Sequence, residues 1–119
     1  MTRDPTAVPE AKPVDRDFFC MHSELCKTLA NEKRQMILAA LRDGELSVSE
    51  LAELTEIAQA NLSQHLSTMR AHGVVQTRRD GTRVFYRIAN PKLIQAFDLI
   101  TEVMQESVGD RSRAASPGE

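Results

Sequence analysis

The stretch that decides the fold is ELSVSELAELTEIAQANLSQHLSTMRAHGVVQTRRDGTRVFYRI, residues 45–88. Near its start lies Ser47-Val-Ser-Glu50, a capping box in which a hydroxyl and a carboxylate satisfy exposed backbone donors of a helix. A short helix to about Leu54 should follow, and a second should run over about 58–71 and end at Gly73. After Gly73 the hydrophobic period changes to two, which predicts a β-hairpin.

The hairpin is expected to turn at Asp80-Gly81, because Asp-Gly suits a two-residue type I′ turn. In that register the cross-strand pairs are Arg79 with Thr82, Thr77 with Val84, Val75 with Tyr86, and Arg78 with Arg83. Like charges opposed across two strands are destabilising. A polyanion lying beside the hairpin would relieve that repulsion.

Two helices precede this stretch and one follows it. The first should run from Asp15 to about Leu29, since apolar residues recur there every three or four positions. Asn31 can cap the second, EKRQMILAALRD, which Gly44 terminates. Asn90-Pro91 opens the last helix, with Asn as cap and Pro in the first position. Its apolar stripe, Leu93, Phe97, Ile100 and Met104, packs either on its own chain or on a partner.

The elements come in the order α-α-α-α-β-β-α, which predicts a mainly α fold with a small β-hairpin wing (α+β), a winged helix-turn-helix. We expect a disordered N-terminal arm over 1–14, the folded domain over 15–108, and a disordered tail over 109–119. No apolar run reaches the roughly 18 residues of a membrane span, and no signal-peptide pattern is seen. We therefore expect a cytoplasmic protein with no membrane partner, whose two cysteines are reduced thiols.

Charge is distributed unevenly along the chain. Residues 58–88 hold five arginines and one acid, Asp80, so this segment carries +4 and the remainder −6, against a total of −2. Such asymmetry indicates a nucleic-acid partner, although a solvated basic face would give the same count.

The polar helix, AQANLSQHLSTMRAH, has two distinct faces. Leu62, Leu66 and Met69 point inward, and short hydrogen-bonding side chains cover the outside, which suits base edges in a major groove. The wing arginines would reach flanking phosphates or a minor groove. The predicted DNA-binding residues are Gln59, Asn61, Ser63, Gln64, His65, Ser67, Thr68, Arg70, Arg78, Arg79 and Arg83. For His65 a packing role is the alternative, and for the helix as a whole, a merely polar surface.

The sequence resembles the ArsR-type (arsenical-resistance repressor, ArsR/SmtB) family of winged-helix regulators. The segments that match are LANEKRQMIL, ELSVSELAE, IAQANLSQHLSTMRAHGVV and RRDGTRVFYRI, within residues 22–105. The resemblance implies a homodimer built on the first and last helices and a repressor of double-stranded operator DNA. Its half-sites would lie about 34 Å apart. Glu56 departs from the pattern, since many relatives have Gly or Asn in that turn, where positive φ is favoured.

Sites known in the family for inducers are missing here. The Cys-x-Cys metalloid pair corresponds to Ser47 and Ser49, and serine is a poor ligand for thiophilic ions. The last helix carries Asp98, Glu102 and Glu106 but no His, which disfavours a zinc or nickel site. The persulfide-sensing cysteine of the second helix corresponds to Ala39, and no cysteine follows Cys26.

Two cysteines remain, Cys20 and Cys26, both on the first helix. Six residues along a helix span about 9 Å, so an intrahelical disulfide is excluded while the helix is intact. His22 and Cys26 are four residues apart, half of a soft-metal site. A thiophilic metal or metalloid ion, or a sulfur or redox species, is one interpretation of these residues, acting as inducer and not required for folding. Cysteines that simply pack as small hydrophobes are the other.

Two other functional classes fit the sequence less well. A winged helix can bind protein instead of DNA, but five arginines beside a hydroxyl- and amide-rich helix favour DNA. Enzymatic activity is not expected, because the three histidines, His22, His65 and His72, show no nucleophile or acid–base partner at a recognisable spacing.

Overall fold

Five helices and three short strands make up residues 15–114, the part of the chain that the computed structural model describes, with side chains described from 15 to 109. In chain order they are α1 Arg16–Leu29, α2 Glu32–Ala40, β1 Leu46–Ser47, α3 Val48–Thr55, α4 Gln59–Ala71, β2 Val75–Asp80, β3 Arg83–Ile88 and α5 Lys92–Ala114. The predicted order of helices and hairpin is confirmed, and β1 is an additional strand. The predicted arm over 1–14 lies outside the described residues.

Side-chain caps begin four of the helices, and three of these caps, Asn31, Ser47 and Asn90, are where the sequence predicts them. Asp15 and Asn31 accept hydrogen bonds from backbone N–H groups of α1 and α2, and Asn90 accepts one from the start of α5. The capping box of α3 is complete, since Ser47 Oγ accepts from the Glu50 backbone while the Glu50 carboxylate accepts from the Ser47 backbone. These bonds lower the pKa of the Glu50 carboxyl.

Two helix ends differ from the prediction. The α2 helix ends at Ala40, three residues before the predicted end, and the turn that follows closes at Gly44, whose φ is +148°. The last helix continues to Ala114, so 109–114 of the predicted tail is helical, and 115–119 lies outside the described residues. Helix ends depend on long-range packing and on weak local signals, which makes them the least predictable part of an element.

The core lies where α2, α3, α4 and the base of β2 meet. Its ten buried hydrophobic side chains are each at most 6% exposed: Ile37, Leu38, Leu41, Leu51, Ile57, Leu62, Leu66, Met69, Val74 and Val75. Replacing any of the larger ones by Ala would lower the free energy of unfolding by about 2–5 kcal/mol. This core fixes α3 against α4, and therefore fixes the angle at which α4 is presented.

The sheet has the order β1-β3-β2, and the loop of its hairpin lies one residue later than predicted, which shifts each cross-strand partner by two residues. Asp80 pairs with Arg83, so the two-residue loop is Gly81-Thr82. The predicted pairs are therefore wrong: Val75 lies opposite Ile88, Thr77 opposite Tyr86, Arg79 opposite Val84, and Arg78 opposite Phe85. Gly81 has φ +63° in the first central position, as a type II′ turn requires, and this spares Asp80 the positive φ of a type I′ turn.

Helix α5 is joined to the core at its start. Arg42, in the turn after α2, donates two hydrogen bonds to the Asp98 carboxylate at 3.0 and 2.5 Å. The hydrogen bond from Arg42 lowers the pKa of the Asp98 carboxyl. Beyond this anchor α5 leaves the core, and no helix within residues 15–114 is long and apolar enough to span a membrane.

Candidate nucleic-acid interface

Helix α4 separates a buried face from an outward polar face. Leu62, Leu66 and Met69 are 0% exposed and pack on the core. At 100° per residue, the positions directly opposite them are 60, 64, 67 and 71, and all four are exposed. Two of these are alanines, so Gln64 and Ser67 are the polar side chains that project furthest from the domain. The alanines keep the surface beside them low enough for close approach to another molecule.

The other predicted α4 residues lie on its two flanks. Gln59, Ser63 and Arg70 form one exposed flank. On the opposite flank Asn61 is exposed, but His65 and Thr68 are half-buried beside α2. The Thr68 hydroxyl donates to the Gln64 carbonyl at 3.2 Å, so it already has an acceptor within its own helix.

His65 points toward α2 and not along the outward face. Arg34 Nε donates to His65 Nδ1 at 3.3 Å. Burial, and then the charges of Arg34 and Lys33, lower the pKa of His65. An imidazole that accepts at Nδ1 is neutral and carries its proton on Nε2. The packing alternative is therefore the one this geometry favours for His65.

Arg78 is held on the outer face of the sheet. Its guanidinium donates to both carboxylate oxygens of Glu45, with the Nε contacts at 3.1 Å, and lies 4.8 Å from the centroid of the Phe85 ring. The hydrogen bond from Arg78 lowers the pKa of the Glu45 carboxyl. Arg78 therefore ties the hairpin to the segment that leads into β1, and its charge is partly neutralised.

The two other wing arginines lie nearer the tip. Arg83 also lies over the Phe85 ring, 5.0 Å from its centroid, and its Nη2 lies 3.9 Å from Glu50 Oε1. Arg79 is exposed and points to the other face of the hairpin, since neighbouring strand residues alternate. The predicted opposition of Arg78 and Arg83 is replaced by two cations sharing one ring, an arrangement favourable by itself.

The turn between α3 and α4 has a left-handed residue. Glu56 has φ 60° and ψ 20°, and its backbone N–H donates to the Ala52 carbonyl. The expectation of positive φ at this turn is confirmed, with Glu in the position that glycine would occupy without strain. Buried Ile57 follows, which fixes the entry of the chain into α4.

Replacing Glu56 by Gly should raise the free energy of unfolding by about 0.5–1 kcal/mol. Left-handed backbone costs a non-glycine residue about 1–2 kcal/mol, and the extra freedom of glycine in the unfolded chain offsets part of the gain. Urea unfolding measures the change. The control is Glu53→Gly, an exposed position within α3, which should lower the same free energy by about 1 kcal/mol. Equal destabilisation by both variants would contradict the left-handed turn.

The predicted thiol residues are only partly brought together. Cys26 Sγ lies 3.5 Å from His22 Nδ1, and both side chains are exposed on α1. Cys20 is exposed one and a half turns earlier and is not part of this pair. Over residues 15–109, no group of three or more His, Cys, Asp or Glu side chains is placed to hold a metal ion. Within this part of the chain, the His22–Cys26 pair supplies two ligands of such a site.

Helices α1 and α5 expose a large apolar surface, which we call the α1/α5 apolar face. Its members are 43–74% exposed and comprise Phe18, Phe19, Met21, Leu99, Ile100, Val103, Met104 and Val108. A groove lined by Leu29, Leu38, Phe97, Ile100 and Met104 runs along it. Monomeric proteins rarely expose so many large apolar side chains on two helices, so these helices are suited to a protein partner.

Sequence reasoning missed three residues that shape the interface: Arg34, Glu45 and Phe85. Arg34 and Glu45 act on side chains 31 and 33 positions away, and no local pattern marks such a pair. Phe85 could have been found from the hairpin, because the correct register places it directly opposite Arg78.

Comparisons with known proteins agree on one group. Residues 31–77 match the family model described as "Bacterial regulatory protein, arsR family". The chain is 42% identical to the transcriptional activator HlyU of Vibrio cholerae over 76 residues, covering 64% of this chain and 70% of HlyU. It is 41% identical to the biofilm growth-associated repressor of Agrobacterium fabrum over 76 residues, 64% of this chain and 65% of that protein.

A solved structure shows the same fold. It is the homodimeric winged helix-turn-helix DNA-binding domain of a possible ArsR-family regulator from Mycobacterium bovis. The TM-score is 0.72 at 33% sequence identity, over 83% of this chain and 94% of that one.

Proposed function

The chain belongs to the ArsR family of bacterial regulatory proteins, DNA-binding regulators of transcription, and from that premise we propose that it is a homodimeric repressor of a specific operator. The observation that carries the proposal is the outward face of α4. Gln64 and Ser67 project beyond a surface of alanines, on a helix whose other side is locked into the core. Amide and hydroxyl groups in that position suit base edges of a major groove.

The α1/α5 apolar face supports the dimeric state. It includes the two helices on which the resemblance places the dimer, and a second copy would cover side chains that a monomer leaves in water. Two-fold symmetry then presents two α4 helices to successive major grooves, about 34 Å apart. The relatives' names include both an activator and a repressor, so they do not decide the direction of regulation. Repression is therefore part of the proposal.

The test is a binding titration against the DNA upstream of the protein's own gene, with random duplex DNA as competitor. We expect preference for the upstream DNA and a steep fall of both affinities with salt, because phosphate contacts release counterions. Deleting the gene should raise transcription from the bound promoter. A chain that binds neither DNA, or binds without salt dependence, would instead be a protein-interaction module.

For the inducer, we propose a thiol-reactive metalloid, soft metal or sulfur or redox species acting at Cys20 and Cys26. The close approach of Cys26 to His22 supports this, because thiolate and imidazole together favour soft ions. Both thiols are exposed in the subunit, so a packing role would require the partner to cover them. The proposal requires no ion for folding, and the buried polar side chains among the described residues, Thr28, Ser47 and Thr55, are not titratable.

The inducer experiment adds arsenite, zinc, cadmium or a persulfide donor to the reduced protein–operator complex. One of them should release the DNA from wild type, and Cys20→Ser or Cys26→Ser should abolish that release. Release that persists in both variants, or a complex that none of the four reagents affects, would assign the cysteines to packing. DNA binding itself would stand in either case.

A further inference from the structure

One side chain connects α1, α2 and the recognition helix. Arg34 lies half-buried in the first turn of α2, where its backbone N–H donates to the Asn31 cap at 3.1 Å. Its guanidinium reaches in two directions. Nη1 donates to the Thr28 carbonyl near the end of α1 at 3.3 Å, and Nε donates to His65 Nδ1 on α4 at 3.3 Å.

The end of α1 is held by α2 at a second point. Gln35 Nε2 donates to the Leu29 carbonyl at 2.9 Å. The last carbonyls of a helix have no partner within it, so the two α2 side chains supply donors that α1 lacks. Thr28 is buried, and its hydroxyl bonds back to the Glu24 carbonyl within α1. The position of α1 is therefore tied to α2 by hydrogen bonds to its final turn.

On α4, the contact with Arg34 adds to the core packing that sets rotation about the helix axis. Gln64 and His65 are neighbours in sequence and lie about 100° apart around the helix. Gln64 points outward while His65 points at α2. Whatever holds the His65 ring against α2 therefore also sets the direction of Gln64, and a rotation that separates the ring from Arg34 would swing Gln64 away from its outward position.

We propose that Arg34 is a positioning residue for DNA recognition, which couples the place of α1 to the orientation of the recognition helix through His65. The inference rests on the proposed function, because it assumes that α4 reads DNA. It deepens that function by giving events on α1, such as a reaction at Cys26, a route to Gln64 within one subunit. Coupling of this kind travels through packed, hydrogen-bonded groups, and Arg34 links the two helices with one hydrogen bond at each end.

The coupling depends on a neutral imidazole. A protonated ring has no acceptor at Nδ1, and the charges that face it, Arg34 and Lys33, are both positive. Burial, and then these two charges, lower the pKa of His65 in the folded state, so the contact is fully present above the ordinary histidine value near 6.5. It is lost as the pH falls through the lower, folded pKa. This sign is opposite to general histidine protonation, which strengthens binding to a polyanion.

The experiment compares operator binding with random-DNA binding for two variants that each lose one positive charge. Arg34→Met should lower the ratio of the two affinities about tenfold, the equivalent of one lost hydrogen-bond contact. Lys33→Met, an exposed neighbour, should leave the ratio within about twofold of wild type. In wild type the ratio should fall at acidic pH, as His65 becomes protonated and loses the contact. His65→Asn keeps an acceptor near the position of Nδ1, so it should retain the ratio and make it independent of pH in this range. His65→Leu should lose the ratio, and adding Arg34→Met should lower it no further.

A second measurement does not require DNA. Proton NMR titration of the free protein should show the pKa of His65 rising further toward its ordinary value in Arg34→Met than in Lys33→Met, because Arg34 has the larger charge effect of the two. Circular dichroism should confirm that both variants are folded. Equal affinity ratios for the two charge variants, or a His65 titration unchanged by Arg34→Met, would overturn the inference while leaving the proposed function intact. Wild type that binds no DNA would overturn the proposed function, and the positioning role with it.

Discussion

Ile100→Glu is expected to dissociate the dimer, raising its dissociation constant by about 100-fold or more. Ile100 is 61% exposed near the middle of the α1/α5 apolar face and borders its groove. In a dimer that uses this face, the new carboxylate would be buried among apolar side chains without a partner, which costs several kcal/mol. Sedimentation velocity at micromolar protein should show the mass of one chain where wild type shows two.

Loss of the dimer should also weaken operator binding. A dimer bound at one half-site holds its second α4 at a high effective concentration beside the other half-site, which a monomer cannot do. Operator affinity should therefore fall by about 100-fold or more, while affinity for random DNA falls much less. This pattern differs from that of a damaged recognition surface, which would weaken half-site contacts in dimer and monomer alike.

The control for this prediction is Gln95→Glu. It adds the same charge to the same helix, but at an exposed position outside the α1/α5 apolar face. It should leave both the mass and the operator affinity near those of wild type. If Ile100→Glu remained folded by circular dichroism and fully dimeric, the interface would lie on another surface.

The parts of the fold that sequence could predict are those with local causes. The capping box at Ser47, the cap at Asn31 and the buried stripe of α4 each depend on residues within one or two turns. The change of period after Gly73 identified the hairpin for the same reason. Because these signals come in a fixed order, they were sufficient for the architecture and for the outward placement of Gln64.

The hairpin register could not be settled by the same means. Asp80-Gly81 is a good type I′ sequence, but moving the loop one residue forward leaves only Gly81 with positive φ. The moved register also pairs Arg78 with Phe85 and lets β1 join the sheet opposite Phe85. Those gains belong to tertiary structure, and a scan of turn propensities cannot include them.

The same limit applies to the electrostatics of the candidate site. The segment 58–88 has a formal charge of +4, but Glu45 and Glu50, which precede it in sequence, contact two of its arginines. The basic surface of segment 58–88 is therefore weaker than the count suggests, and Arg79 and Arg70 carry a larger share of it. Phosphate binding near Arg83 would have to compete with Glu50, whereas Arg78 serves first to hold the wing in place.

Gln64→Glu should lower operator affinity by about 100-fold or more, although the side chain keeps its size and shape. The amide at the most outward point of α4 can both donate to and accept from a base, and a good bidentate contact is worth about 1–3 kcal/mol. A carboxylate loses the donor and brings a negative charge among phosphates. Affinity for random DNA should therefore fall as well, which filter binding at two salt concentrations would measure.

Gln64→Ala separates the effect of the lost hydrogen bonds from the effect of the added charge. It removes the hydrogen bonds without adding charge, so it should lower operator affinity about 10- to 100-fold and leave random-DNA affinity nearly unchanged. Gln95→Glu again matches the charge change of Gln64→Glu on another helix and should have little effect on either DNA. Unaltered operator binding by Gln64→Glu would mean that the outward face of α4 does not enter the groove. Because Arg34 is proposed to act by directing Gln64, Arg34→Met combined with Gln64→Ala should lower operator preference no further than Gln64→Ala alone.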